Sequence, residues 1–151
     1  MKLTRIALLS LAAGALVSLP AFAGLGGDSA SVQADMVQLK GTVRVSTAGT
    51  FTLHEITANS GVKVREYAGS DGRVFAVAWN GPAGPDLRQV LGSHYDQFVQ
   101  ALAAQPRHSH RHVLIQEDDL VVERNVFQRA ASGRAWTPSM LPKDFSAEQI
   151  Q

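Results

Sequence analysis

The sequence contains no cysteine, and aromatic residues make up only 7% of its 151 residues. Without thiols the chain forms no disulfide, and lipid attachment at cysteine, thiolate metal sites and thiol catalysis are all excluded. Its stability must therefore come from a hydrophobic core. A chain of this size buries about two thirds of the surface that it exposes when unfolded, which is enough for such a core.

The sequence also lacks a large excess of charge of one sign and has no basic cluster. It carries 14 Lys and Arg against 13 Asp and Glu, for a formal net charge of +1. A surface that binds duplex nucleic acid needs several clustered cations to neutralise phosphates, whereas these cations are spread along the chain. We expect no nucleic-acid partner.

The first 23 residues are typical of a secretory signal peptide. Lys2 and Arg5 give a positive start, residues 6–19 are apolar, and residues 21–23 place alanines at the −3 and −1 positions of a cleavage site. A membrane span needs about 20 apolar residues, so a stable anchor is the weaker interpretation. We predict that residues 24–151 form a single exported domain, located in the periplasm or the medium.

A meander of strands is predicted in the middle of the chain. Three runs rich in β-forming residues lie at 51–57, 62–68 and 73–79. The short segments between them contain Asn, Asp, Ser and Gly, which favour tight hairpin turns. These runs predict three consecutive antiparallel strands.

A second group of strands is predicted nearer the carboxyl end. Runs at 110–116 and 120–127 indicate another hairpin, and a turn at 131–133 precedes a short last strand at 134–137. Residues 41–50, rich in Thr, Ser and Gly, are typical of a ragged edge strand or a loop. We predict an antiparallel sheet of about five or six strands in two meanders.

The clearest helical pattern runs from Asp86 to Gln105, where Asp86 caps the helix and Pro106 ends it. Its apolar stripe consists of Leu87, Val90, Leu91, Tyr95, Phe98 and Leu102. Gly92 in its middle costs about 1 kcal/mol relative to Ala, and we expect a close approach of helix to sheet there. A shorter helix is predicted to end near Leu39. With one main amphipathic helix packed across the sheet, the fold class is α+β.

The histidines at 108, 110 and 112 form the one histidine cluster of the sequence. On a strand, His108, His110 and His112 would share one face, but the outer two would lie about 13 Å apart. Zinc ligands sit about 2 Å from the ion, so one ion cannot take all three. A site for a divalent transition metal would pair His110 with one neighbour and a third ligand such as His54, His94 or a carboxylate. Without a metal, the same stretch is a polar strand entrance, and no cofactor is predicted.

Two other groups of polar residues draw attention. Ser93, His94 and Asp96 are the residue types of a nucleophilic triad, but neighbours on a helix point about 100° apart, so we do not expect them to converge. Glu66 and Glu123 lie inside apolar strands, each beside an arginine. Each is either a buried acid or one half of a cross-strand ion pair, and the pair is the commoner arrangement.

Several segments together resemble a known family of small secreted bacterial proteins, grouped as domain of unknown function 2844. The segments are Gly26-Gly27, Val64-Arg65-Glu66-Tyr67, Val74-Phe75-Ala76-Val77-Ala78-Trp79, Pro85-Asp86-Leu87-Arg88-Gln89 and Leu120-Val121-Val122-Glu123. The resemblance extends from the glycines to Leu141-Pro142, nearly the whole exported chain. It implies no activity, cofactor or site residue, because none is established for the family.

These observations favour an exported binding or accessory module without catalytic activity, acting on an unknown protein or small molecule. The sequence offers no nucleophile–base pair, no paired carboxylates at a plausible site and no strong metal motif. Two alternatives remain open. One is a metal-binding protein or metal-dependent enzyme that uses His108, His110 and His112. The other is a hydrolase with a site between sheet and helix, for which His94 is the first residue to test.

Overall fold

The computed structural model describes residues 24–28, 31–105 and 111–151, so the predicted signal peptide lies outside the described residues. The helices are α1 Ser31–Gln38, α2 Leu87–Leu91 and α3 Tyr95–Ala104. The strands are β1 Gly41–Ala48, β2 Phe51–Ala58, β3 Lys63–Gly69, β4 Val74–Gly81, β5 His112–Glu117, β6 Leu120–Phe127 and β7 Ala130–Trp136. All seven strands form one antiparallel sheet in the order β1-β2-β3-β4-β7-β6-β5.

The α+β class is confirmed, but the sheet has seven strands rather than five or six. The Thr- and Ser-rich edge segment is a full strand, because β1 pairs with β2 along its whole length. The last strand begins early, and residues 131–133, predicted as a turn, pair with both β4 and β6. Gly133 is required there by close packing, since a Cβ would lie 2.3 Å from the Trp79 ring.

The predicted long helix is present but is not continuous. A 3₁₀ turn at Gly92–His94 separates α2 from α3. Asp86 caps α2 as expected, accepting a hydrogen bond from the Arg88 N–H at 2.9 Å. Gly92 has a φ of 52°, in the region that favours glycine, so backbone conformation explains this residue rather than a close approach to the sheet. Within the described part of the chain, no helix has the length and apolar character needed to span a membrane.

Both faces of the sheet are covered. The helices and Leu25 pack on one face, against a core that includes Ile56, Val64, Val77 and Val122. On the opposite face lies the C-terminal segment, residues 137–151, which buries Phe145 and Ile150 against aromatic side chains from β2, β3 and β4. The sheet is thus the middle layer of the fold.

The strand register places two rows of side chains across the sheet. The row on the helix-covered face runs Val45, His54, Glu66, Val77, Ala135, Val122 and Ile115. The adjacent row on the other face runs Arg44, Glu55, Arg65, Ala78, Arg134, Glu123 and Leu114. Both rows contain acidic side chains. Glu66 in the first row is buried, whereas Glu55 and Glu123 in the second row are partly exposed.

Candidate functional site

The histidine cluster is described only in part. His108 and His110 lie outside the described residues, whereas His112 is exposed at the start of β5 with its Nδ1 2.7 Å from Asn125 Oδ1. Five strand spacings, or about 24 Å, separate β5 from the strand that carries His54, so His54 is not a third ligand for a metal at His112. Among the residues that the structure describes, no three His, Asp or Glu side chains come close enough to hold one metal ion.

The residues Ser93, His94 and Asp96 lie at the 3₁₀ turn and the start of α3. The His94 Nδ1 is 3.4 Å from the Gln97 Oε1, and Asp96 is exposed. Ser93 and His94 both approach Gly26, where an added Cβ would lie 3.2 Å from the Ser93 Oγ and from the His94 Nε2. No hydrogen bond joins Ser93 to His94, or His94 to Asp96, in the described part of the chain.

A buried polar cluster lies between the helices and the sheet, made of Asp35 from α1, His54 from β2, Glu66 from β3 and Gln89 from α2. Glu66 is 0% exposed, Asp35 4% and His54 8%. The Gln89 side-chain amide donates to the Asp35 Oδ1 at 2.9 Å. His54 and Glu66 are register partners on adjacent strands, so their side chains lie on the same face. The cluster therefore joins two helices to two strands.

The sequence places these residues by ordinary periodicity. Glu66 alternates with Val64 and Ala68, both of which are buried, so it must share their face. Asp35 follows Val32 by three residues on α1 and so faces the sheet with it. The apolar neighbours determine the orientation of both acids, and the acids are buried with them.

Burial controls the electrostatics of the cluster. The pKa of Glu66 is raised to about 9, mostly by burial and in addition by the hydrogen bonding and the negative charge of the neighbouring Asp35. Burial also raises the pKa of Asp35, although the hydrogen bond from Gln89 opposes the change. The pKa of His54 is lowered by burial. At neutral pH Glu66 is therefore protonated, His54 is neutral, and the cluster avoids two buried negative charges side by side.

A protonated Glu66 supplies a hydrogen-bond donor that two ionised carboxylates would lack. Neither of its oxygens has a hydrogen bond of regular geometry within the described residues, and the same holds for the His54 Nδ1. Two ionised carboxylates offer only acceptors, whereas a carboxylic acid beside a carboxylate supplies the missing donor. The proton on Glu66 is thus a structural component of the cluster.

The cluster has the composition of an acid–base site but not the access. Carboxyl groups with widely separated pKa values are a common feature of catalytic centres. Here the helices lie on one side, the sheet on the other, and Glu66 has no exposed surface. The arrangement holds the helices to the sheet and does not reach a substrate.

The structure decides between the two alternatives that the sequence left open for Glu66 and Glu123. Glu66 is the buried acid rather than one half of a surface pair. Glu123 does form the cross-strand pair, but with Arg134, whose Nε lies 2.7 Å from the Glu123 Oε2. The alternation of Glu66 with apolar residues was the signal for burial, and nothing in the sequence alone brings Asp35 to it.

The opposite face carries two matching ion pairs. Arg65 Nε lies 2.7 Å from Glu55 Oε2, and Arg134 makes the same contact with Glu123. Each arginine also donates from Nη1 to a backbone carbonyl of the C-terminal segment at 2.9 Å, Arg65 to Gln151 and Arg134 to Ala147. The two arginines flank Ala78 of the central strand and hold the segment against the sheet.

A cleft of about 520 Å³ opens beside the Arg65 pair. Its walls are the apolar or aromatic side chains of Phe51, Leu53 and Tyr67, and its polar end holds Glu55 and Arg65, with Gln149 and Gln151 at the rim. Arg65 is 25% exposed and Glu55 27%. This cleft is accessible from solvent, unlike the buried polar cluster.

Comparison with known families gives one match. Residues 21–150 match the model of a family described as a protein of unknown function, DUF2844. The chain belongs to this family. The match covers every helix and strand described above. No curated protein and no solved structure matches the chain significantly.

Membership of DUF2844 confirms the resemblance predicted from the sequence. The matched residues include the whole buried polar cluster and both ion pairs. Because the family is described only as of unknown function, it assigns no role to them, and functional proposals must come from the chemistry of these side chains.

Proposed function

We propose that this DUF2844 chain is an exported binding module without catalytic activity, and that its ligand occupies the cleft at Arg65. The supporting observation is the combination of an apolar wall and a guanidinium group in one solvent-accessible cavity of about 520 Å³. Cavities of this size that combine aromatic walls with a few polar groups are typical of small-molecule sites.

The lining of the cleft defines the class of ligand. The Phe51 and Tyr67 ring centroids are 5.9 Å apart; Tyr67 is buried, and the partly exposed Phe51 offers the apolar surface to a ligand. Arg65 lies at the polar end, where its planar guanidinium matches a carboxylate or sulfonate. Its Nε is paired with Glu55 and its Nη1 with the Gln151 carbonyl, so an anionic ligand would share the guanidinium with Glu55. A small amphipathic anion satisfies both parts of the cleft.

A binding role agrees with the position of the ionisable groups. Among the described residues, the two carboxyl groups whose pKa is raised, Asp35 and Glu66, lie behind the helices, away from the cleft. The hydrolase alternative receives less support, because the His94 Nδ1 faces the amide of Gln97 rather than a carboxylate. The leader-like residues 1–23 support export of the module to the periplasm or the medium.

The fluorescent probe 1-anilinonaphthalene-8-sulfonate tests the cleft, since it combines an aromatic body with one anionic group. We expect saturable binding by the wild-type protein and binding about tenfold weaker in Arg65→Ala, because a charge-assisted hydrogen bond is lost. Fluorescence titration measures both.

Arg134→Ala is the matched control, since Arg134 makes the same type of ion pair and carbonyl contact in the other half of the sheet. It should bind the probe within about twofold of wild type. Equal weakening in both variants, or no saturable binding at all with native circular dichroism, would refute the proposed site.

A second proposal, a divalent metal site, rests on the spacing of His108, His110 and His112 and on one contact. The hydrogen bond between the His112 Nδ1 and the Asn125 Oδ1 orients the imidazole, as second-shell partners do for metal-ligating histidines. Equilibrium dialysis against zinc and copper should show one equivalent bound to wild type and none to the His108/His110/His112 triple alanine variant. Equal binding by both proteins would exclude this site.

A further inference from the structure

The two edges of the sheet differ in how their backbone is covered. At the β5 edge, two glutamines bond the strand. Gln97 of α3 donates from Nε2 to the Glu117 carbonyl at 3.2 Å, and Gln105, directly after α3, donates from Nε2 to the Leu114 carbonyl at 2.8 Å. At the β1 edge, no described side chain makes an equivalent bond. The β1 edge is therefore open within the described residues.

The hydrogen-bond pattern of the sheet identifies which N–H and C=O groups of β1 point away from β2. The hydrogen bond from Ala58 N to Val62 O turns the backbone of Ala58 toward β3. Because backbone groups alternate in direction along an antiparallel strand, Glu55 faces β1 instead. Its register partner is Arg44, so Arg44 bonds to β2 and the next residue, Val45, directs its N–H and C=O outward. Gly41, Val43 and Thr47 do the same.

Strand β1 has few of the features that prevent edge pairing. It is eight residues long, contains no proline, and pairs with β2 without a bulge. Val45 is 56% exposed on the helix-covered face, and Val37 on the neighbouring α1 is 67% exposed. An extended backbone and an apolar surface lie side by side at this edge.

The charges at this edge favour a particular partner. Arg44 is exposed, and its neighbour Glu55 is paired with Arg65 on the other side, so Arg44 has no ion-pair partner among the described residues. Lys40, just before β1, is also exposed. The strand itself contains no Asp or Glu. A second copy pairing through β1 would therefore bring no acid to Arg44, whereas an acidic segment of another protein would.

We propose that β1 binds an extended, acidic segment of another protein as an eighth strand of the sheet. The segment bonds the outward backbone groups of Val43 and Val45, places an apolar side chain beside Val45, and sets an acidic side chain opposite Arg44. That last position is a non-hydrogen-bonded pair, in which opposed side chains approach most closely. This surface and the cleft at Arg65 share only the neighbouring Glu55, and different probes test them, so failure of one proposal leaves the other intact.

Labelled peptides of designed alternation provide the probe. The parent peptide is fluorescein-Thr-Val-Thr-Val-Glu-Val-Thr-Val. In the companion peptides the single Glu is moved to each of the Thr positions in turn. In a matched series Lys replaces Glu in every peptide. Fluorescence anisotropy should show at least one Glu peptide binding about tenfold tighter than its Lys twin, since an opposite-charge pair replaces a like-charge pair. Arg44→Glu should reverse that preference.

Val45→Pro tests the backbone contribution. It removes the outward N–H while leaving the β1–β2 bonds, and proline is tolerated on an edge strand when its nitrogen faces solvent. We expect peptide binding to fall about tenfold or more with little change in melting temperature, whereas Val45→Thr, which keeps the N–H, retains binding.

Three results would overturn the proposal. They are no binding by any Glu peptide, binding that Arg44→Glu and Val45→Pro leave unchanged, and a concentration-dependent dimer in sedimentation that Val45→Pro abolishes. The last would show that a second copy is the occupant of this edge.

Discussion

Replacing Glu66 with Gln is expected to raise the free energy of unfolding at pH 7 by about 3 kcal/mol. In the folded protein the pKa of Glu66 lies at about 9 against an ordinary value of 4.5, so folding at neutral pH requires the uptake of a proton. Each pH unit above 4.5 costs about 1.4 kcal/mol until the folded-state pKa is reached. A Gln amide needs no proton, and it brings a donor next to Asp35.

The difference in free energy of unfolding between the two proteins should grow with pH. A raised folded-state pKa means that the stabilising contribution of Glu66 is complete below pH 4.5 and is lost as the pH rises to about 9. The wild-type and Glu66→Gln proteins should therefore have similar stability near pH 4.5 and diverge with rising pH. Urea unfolding between these limits measures the difference.

The exposed acid Glu117 supplies the control. Glu117→Gln should change the free energy of unfolding by less than about 0.5 kcal/mol throughout. The contrary result is a Glu66→Gln protein that is less stable than wild type at pH 7, with a difference in free energy of unfolding that does not change with pH. It would show that Glu66 is ionised in the fold.

Phe145→Ala is expected to lower the free energy of unfolding by about 3 to 5 kcal/mol. The Phe145 ring packs edge-on at 4.9 Å from Phe75 and 5.0 Å from Phe51, and it fixes the C-terminal segment over the face that carries the arginines. Its removal leaves a cavity in the smaller of the two cores. Denaturant unfolding gives the magnitude.

Phe127 makes a matched control because it is the same residue type at 65% exposure. Phe127→Ala should alter stability by about 0.5 kcal/mol or less. Comparable losses in the two variants would mean that the C-terminal segment does not form a second core.

The regular features of the fold follow from the sequence. Period-two alternation and turn residues located the strands from β2 to β6, and the apolar stripe located the helical stretch from Leu87 to Ala104. Strand β1 was predicted only as a ragged edge strand or a loop, because its sequence is polar and contains glycine and its regular form comes from pairing with β2 along its length. The reason for Gly92 was predicted wrongly, because the sequence does not show that this residue has a positive φ.

The candidate site was less predictable for a physical reason. Alternation shows which face Glu66 occupies, but which residue lies across from it depends on how α1 packs on the sheet. Asp35 and Gln89 are separated by 54 positions in the chain and meet only in the folded protein. The ion pairs show the same limit, because the partner of Glu123 is set by strand order and not by the adjacent Arg124.

The central claim is that the buried polar cluster is closed and structural, so that binding takes place on the outer surfaces. Carbon-13 NMR of the Glu66 side-chain carboxyl group, followed from pH 4 to pH 10 in the folded protein, tests it most directly. We predict that this carboxyl group titrates near pH 9, far above its ordinary 4.5. Titration near 4.5 would show a carboxylate in contact with water and would contradict the account.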